Sequence, residues 1–170
     1  YYRWVARRHP ELRQEIEELV GSTSATAECL TLADFSPKNI LVGPHGPVLL
    51  DAECACYGDP AFDLAFCLNH LLLKCLWNPA ARESFHACFE ALTNAYLAEV
   101  NWEPAAAVEQ RAASLLPGLF LARVDGKSPV EYIQSETDRD RVRHCARPLL
   151  VAPPSLLAEV LAAWKKELNA

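Results

Sequence analysis

Residues 30–66 constrain this chain more than any other stretch. Two short apolar runs, Ile40-Leu41-Val42 and Val48-Leu49-Leu50, flank Gly43-Pro44-His45-Gly46-Pro47. The pattern predicts a tight two-stranded ribbon, because glycine and proline supply the backbone angles that reverse a chain. Polar residues stand at both ends of it. Asp34 and Asn39, five residues apart, precede the first run; Asp51 follows the second, with Glu53 two residues further on. Asp59-Pro60 then reads as the N-cap and first residue of a helix reaching about Leu76. Its apolar residues, among them Leu64, Phe66, Leu68, Leu72 and Leu73, nearly encircle it, and a helix apolar on most sides is buried.

The polar residues suit phosphoryl transfer. That reaction needs a carboxylate to take or orient the proton of an attacking hydroxyl, and hard oxygen ligands to hold magnesium on nucleotide phosphates. A kinase catalytic loop spaces its Asp and Asn by five, and its metal-binding Asp follows later. Asp34 fits the base, Asn39 one metal ligand and Asp51 the principal one. Glu53 would reach the same metal or its water shell if the chain is extended there. Lys38 is a candidate phosphate contact, against the alternative of a solvated loop lysine. Ser36 and Pro37 read as loop-shaping residues and His45 as exposed.

Taken in order, Asp34 through Asn39, Asp51-Ala52-Glu53, and Gly58-Asp59-Pro60-Ala61-Phe62-Asp63-Leu64-Ala65 resemble the carboxyl-terminal lobe of the aminoglycoside phosphotransferase/choline kinase-like family, a branch of the protein-kinase-like fold. The resemblance extends over roughly residues 1–150 and is most specific over 30–66. It implies ATP-dependent, magnesium-assisted phosphate transfer to a hydroxyl of a small molecule such as an aminoglycoside, an amino alcohol or a sugar. It also implies that Asp63 braces the catalytic loop through that loop's backbone, with Asp59 in a supporting role. Two departures stand out. Leu32-Ala33 occupies the place where the family carries His-Gly, and the six glycines form no nucleotide-binding G-x-G-x-x-G. The expectation is therefore a helical lobe without its amino-terminal partner lobe. A second reading is an inactive kinase-like lobe serving as a binding or scaffold module, self-associating through the face such a partner would cover. Arg123 to Pro129 resembles one branch of the same family; a turn at Asp125-Gly126 is predicted, and no role beyond a guess at substrate contact follows.

The remaining periodicities are helical. Tyr2, Trp4 and Val5 read as the packing side of an amphipathic segment, followed by a helix from Pro10 to Gly21 and a small-residue linker over 22–27. Helices are predicted over about 80–100 and from near Pro104, disturbed at Pro117-Gly118. A short helical turn at 130–133, a charged helix face over 136–143 and a last helix over 155–168 complete the chain. Asn69, His70 and His86 read as core hydrogen-bonding or packing residues. The expected fold is mainly α with one small β-hairpin, in a single domain over residues 1–170.

Composition excludes several classes. A net charge of −6 argues against nucleic acid or an anionic membrane surface as the main partner. The clearest long apolar run, Leu64 to Leu76, is interrupted by Asn69, His70 and Lys74, which is short of a membrane span. Seven irregularly spaced cysteines fit reduced thiols in a cytoplasmic protein better than a disulfide framework. Cys54 and Cys56 are read as buried or half-buried structural thiols. The absence of methionine and the start at Tyr1 read as a fragment lacking its natural beginning.

Overall fold

The computed structural model describes residues 2–170. In chain order the elements are α1 (Tyr2–Arg8), a 3-10 turn (Pro10–Leu12), α2 (Arg13–Ala25), β1 (Cys29–Thr31), β2 (Ile40–Gly43), β3 (Gly46–Leu49), β4 (Cys56–Gly58), α3 (Pro60–Trp77), α4 (Arg82–Glu99), α5 (Ala105–Asp125), α6 (Glu136–Val151) and α7 (Leu157–Leu168). The fold is mainly α with a small antiparallel β region, as the periodicities predict. The ribbon forms where expected, β2 pairing with β3 in the register Ile40–Leu49 and Leu41–Val48. A second pair was not foreseen. β1 and β4 run antiparallel, Leu30 opposite Tyr57, and tie the start of the central stretch to its end. Three-residue strands carry too little alternation to be read from sequence.

Helices α3 and α5 make the core. Leu64, Phe66, Leu68 and Leu72 of α3 are fully buried, as are Leu116, Leu119 and Phe120 of α5. Val142 of α6 and Trp164 of α7 close over them. The Trp164 ring packs tilted against Phe120, centroids 5.1 Å apart, and its indole N–H donates to the Leu72 carbonyl at 3.0 Å, so the largest core side chain is fully buried without an orphaned donor.

Several predicted boundaries move. Helix α2 passes through Gly21 to Ala25, because one exposed glycine costs only about 1 kcal/mol against alanine. Thr23 also back-bonds to the Leu19 carbonyl at 2.8 Å. Residues 130–133 form a turn rather than a helix. Pro117-Gly118 does not interrupt α5, which continues unbroken through both. Gly118 instead makes room for α1: a Cβ there would lie 2.7 Å from Tyr2 Cε1. The Tyr2 hydroxyl donates to the Leu115 carbonyl on the same turn at 3.2 Å. Of the three residues expected to pack α1, Tyr2 and Val5 are buried and Trp4 is 43% exposed.

Asp125 ties three parts of the chain together. It is buried at the end of α5, and Arg143 of α6 holds its two oxygens at 2.7 and 2.9 Å. His9 Nε2, between α1 and α2, lies 2.8 Å from Asp125 Oδ2. Gly126 follows because a Cβ there would sit 2.1 Å from the Ala122 carbonyl oxygen.

Candidate active site

The site begins where β1 runs out. Ala33, immediately before Asp34, has φ 59°, a left-handed conformation that costs a non-glycine residue roughly 1–2 kcal/mol. Asp63, in the first turn of α3, holds it there. Its carboxylate accepts from Leu32 N at 2.7 Å and from Ala33 N at 2.9 Å. Burial pushes the Asp63 carboxyl above its ordinary range, and the two amide hydrogen bonds oppose that rise. The side chain is thus joined to the loop backbone as the resemblance implied.

The short 3-10 turn Pro37–Asn39 brings Lys38 and Asn39 back onto Asp34. Buried Asn39 donates its Nδ2 to both the backbone carbonyl and Oδ2 of Asp34, at 3.0 and 3.1 Å. Lys38 Nζ lies 3.3 Å from the same Oδ2. Asn39 Oδ1 and the second Asp34 carboxylate oxygen take no part in those contacts. The Leu50 amide donates to the Asn39 carbonyl at 2.8 Å, so the ribbon brings the residue next to Asp51 against the turn that carries Asn39.

Asp51 itself is exposed and has φ 61°. Glu53 is exposed as well, but the extended backbone on which its reach depended is absent: Ala52–Cys54 form a 3-10 turn. With three residues per turn, positions 51 and 53 do not share a face as they would on a strand. Among the described residues no three His, Cys, Asp or Glu side chains group so as to hold a metal ion. Magnesium does not require such a cage. It is bound through one or two carboxylates together with substrate phosphates, and the oxygen donors Asn39 Oδ1 and Asp51, on pieces of backbone joined by the Leu50 hydrogen bond, fit that requirement.

Asp59 caps α3 by accepting from Ala61 N at 3.0 Å, as its position predicted. Its second partner is Arg111 of α5, whose Nε lies 3.1 and 3.2 Å from the two Asp59 oxygens. Arg111 also contacts Glu103 at 2.7 and 2.8 Å. The hydrogen bonds from Arg111 hold the Glu103 carboxyl below its usual range. Asp59 and Arg111 are 52 residues apart, and no local pattern announces the pair. Two thiols differ from expectation: Cys54 and Cys56 are exposed, as is Cys88, while Cys67, Cys75 and Cys145 are buried. Cys54 and Cys56 lie outward because the turn and β4 run over the surface. His70 is buried with Nδ1 2.9 Å from the Tyr132 hydroxyl. Asn69 is also buried, but neither polar atom of its side chain has a partner, unlike the satisfied core amide expected.

A protein-family model described as the phosphotransferase enzyme family matches residues 2–108. The chain belongs to the phosphotransferase enzyme family. The match contains every element of the site, from Asp34 to Asp63, and most of the Asp59 network, whose Arg111 lies just beyond it. No curated protein matches the chain. Among the described residues no helix is long and apolar enough to cross a membrane. Membership in the phosphotransferase enzyme family accounts for a loop bracing that composition alone would not require, because phosphoryl transfer depends on rigid placement of a few oxygen atoms.

Proposed function

We propose that the chain is the helical lobe of an ATP-dependent small-molecule phosphotransferase, comprising residues 1–170 as one domain. Asn39, whose side-chain amide donates to Asp34 while its backbone carbonyl accepts from the Leu50 amide, supports this reading most strongly. It couples the candidate base to the strand that leads into the candidate metal ligand.

In this reading Asp34 accepts the proton of the acceptor hydroxyl as its oxygen bonds the γ-phosphorus of ATP and the bond to the leaving ADP breaks. Asn39 and Asp51 would hold magnesium, with Glu53 reaching no closer than its water shell. When bound, magnesium supplies neutralisation of the phosphate charge. Lys38 brings a positive charge beside Asp34, where an incoming phosphate oxygen can be met. Asp63 and Asp59 position the loop and α3 and touch no reactant. The expected setting is the cytoplasm.

Phosphorus-31 spectra of the chain with ATP, magnesium and a panel of amino alcohols, sugars and hydroxy acids test the proposal. A new phosphate-ester resonance is expected once the chain is joined to an amino-terminal nucleotide lobe, with its rate lowered roughly 10²–10⁴-fold in Asp34→Asn. An equal rate in Asp34→Asn would remove Asp34 from the chemistry.

A second reading, a binding module that self-associates, is favoured by one observation. The ribbon and its neighbouring pair expose Leu30, Leu41, Val42, Val48, Leu49 and Tyr57, a larger apolar surface than scattered side chains provide. Concentration-dependent dimerisation that Val42→Lys abolishes would support it, and a monodisperse monomer would dismiss it.

A further inference from the structure

Beside the loop that carries Asp34 lies a cavity of about 90 Å³ whose lining includes Ser36, Lys38, His70, Lys74 and Arg123. Three of these are cations, and the one carboxylate in the lining, Glu131, belongs to an exposed residue. On a chain of net charge −6 this is a local reversal of sign. The volume corresponds to about three water molecules at their liquid share, the scale of one small charged group.

Two polar atoms in the wall have no partner. Ser36 Oγ and His70 Nε2 make no hydrogen bond, although their residues are only 1% and 5% exposed. Burial, reinforced by the Arg123 charge, holds the His70 imidazole down to about 3, so the ring is neutral. The Tyr132 hydroxyl engages His70 Nδ1 at 2.9 Å, which leaves Nε2 as the unpartnered ring nitrogen. Lys74 Nζ is held between two rings, 4.7 Å from the centroid of Trp77 and 4.9 Å from that of Tyr132, a cation–π clamp that fixes an ammonium group in place. Lys38 belongs to both places: it lines the cavity and pairs with Asp34 at 3.3 Å.

We infer that this cavity is a subsite for an anionic group, a carboxylate or a phosphate, borne by the acceptor whose hydroxyl meets Asp34. The inference rests on the phosphotransferase reading for the hydroxyl, but the anion site stands on its own geometry. A hydroxyl, an imidazole nitrogen and three cationic side chains around a small space complement an oxyanion, whereas a cationic amino group there would meet three like charges against the single exposed carboxylate of Glu131. The acceptor class is therefore a hydroxy acid or a phosphorylated alcohol rather than a polyamine.

The test is a titration of the whole chain with inorganic phosphate at constant ionic strength and pH 7, without magnesium or nucleotide, followed through the ring nitrogen resonances of His70. A saturable shift is expected, with exposed His45 unmoved. Lys74→Gln should weaken binding at least fivefold. Ser36→Ala, which removes a buried hydroxyl without a partner and so does not threaten the fold, should weaken it at least twofold. Glycerate or glycerol phosphate should displace inorganic phosphate, and glycerol should not; equal displacement by glycerol would overturn the assignment. So would a missing or non-saturable shift, or undiminished binding in both variants. Magnesium-dependent ATP binding is measured separately. Its loss with phosphate binding retained would remove the phosphotransferase reading and leave the anion site, and the converse would remove the anion site alone.

Discussion

Asp63 pins Ala33 in a left-handed backbone conformation, its carboxylate accepting from Ala33 N at 2.9 Å and from Leu32 N at 2.7 Å while Ala33 holds φ 59°. The strain sits one residue before Asp34, and its restraint comes from the first turn of α3. The side chain that completes the loop is thus anchored in the core helix.

Removing the restraint should release the strain. Asp63→Asn turns one carboxylate oxygen into an NH₂ group facing a backbone N–H, and should cost about 1–3 kcal/mol in urea unfolding. Ala33→Gly relieves left-handed strain worth roughly 1–2 kcal/mol and loses about 0.5–1 kcal/mol to the freer unfolded chain. It should leave stability unchanged or slightly raised. A loss above about 1 kcal/mol in Ala33→Gly would contradict the account.

The notch at Gly118 carries the docking of α1. Gly118→Ala places a methyl group 2.7 Å from Tyr2 Cε1 and should destabilise by about 1–3 kcal/mol. In Tyr2→Leu the same change should cost distinctly less, since residues in contact are not additive. Equal penalties in the two backgrounds would show that the contact is not what requires glycine.

Acid should unfold the chain through two buried groups. Burial first and Arg123 second hold His70 down to about 3, below its ordinary 6.5. The unfolded chain therefore binds this proton while the folded chain does not. His70's contribution is complete above 6.5 and falls as pH drops toward about 3. Asp125 acts in the same direction. Burial opposes its charge, but Arg143 and His9 outweigh burial and hold it below its ordinary 3.8. Its stabilisation is present above 3.8 and lost as pH falls through the lowered value. Asp63, raised by burial, runs the opposite way and loses its contribution as pH rises through its raised value. Unfolding free energies from urea curves should fall between pH 6.5 and pH 4 with a slope approaching about 1.4 kcal/mol per pH unit from His70, Asp125 adding its loss only below 3.8. His70→Phe should flatten the upper part of that range; an unchanged slope there would exclude His70.

Much of this was legible in the sequence, for reasons that particular residues make plain. Asp59-Pro60 declared the start of α3 because a cap and a fixed φ are local properties. The turn at 43–47 declared the ribbon for the same reason. Asp34, Asn39 and Lys38 lie within six residues, so their proximity followed from one turn. What stayed hidden was held by long-range contacts. The Arg111–Asp59 pair spans 52 residues, and the His9–Asp125 pair spans 116. Pro117-Gly118 read as a break because local propensity favours one, whereas the packing of Tyr2 on α5 overrides it. Glu53 depended on a strand that the chain replaced with a 3-10 turn after Asp51.

The central claim is that Asn39 and Asp51 hold magnesium on a nucleotide. Thermal melts of the chain with and without saturating ATP and magnesium, beside Asp51→Ala, test it most directly. At about a hundred times its dissociation constant the ligand adds roughly 2.7 kcal/mol, or about 5–10 °C for a domain of this size. The account predicts a shift of that order that requires magnesium and vanishes in Asp51→Ala. An absent shift, or one that Asp51→Ala retains in full, would contradict it.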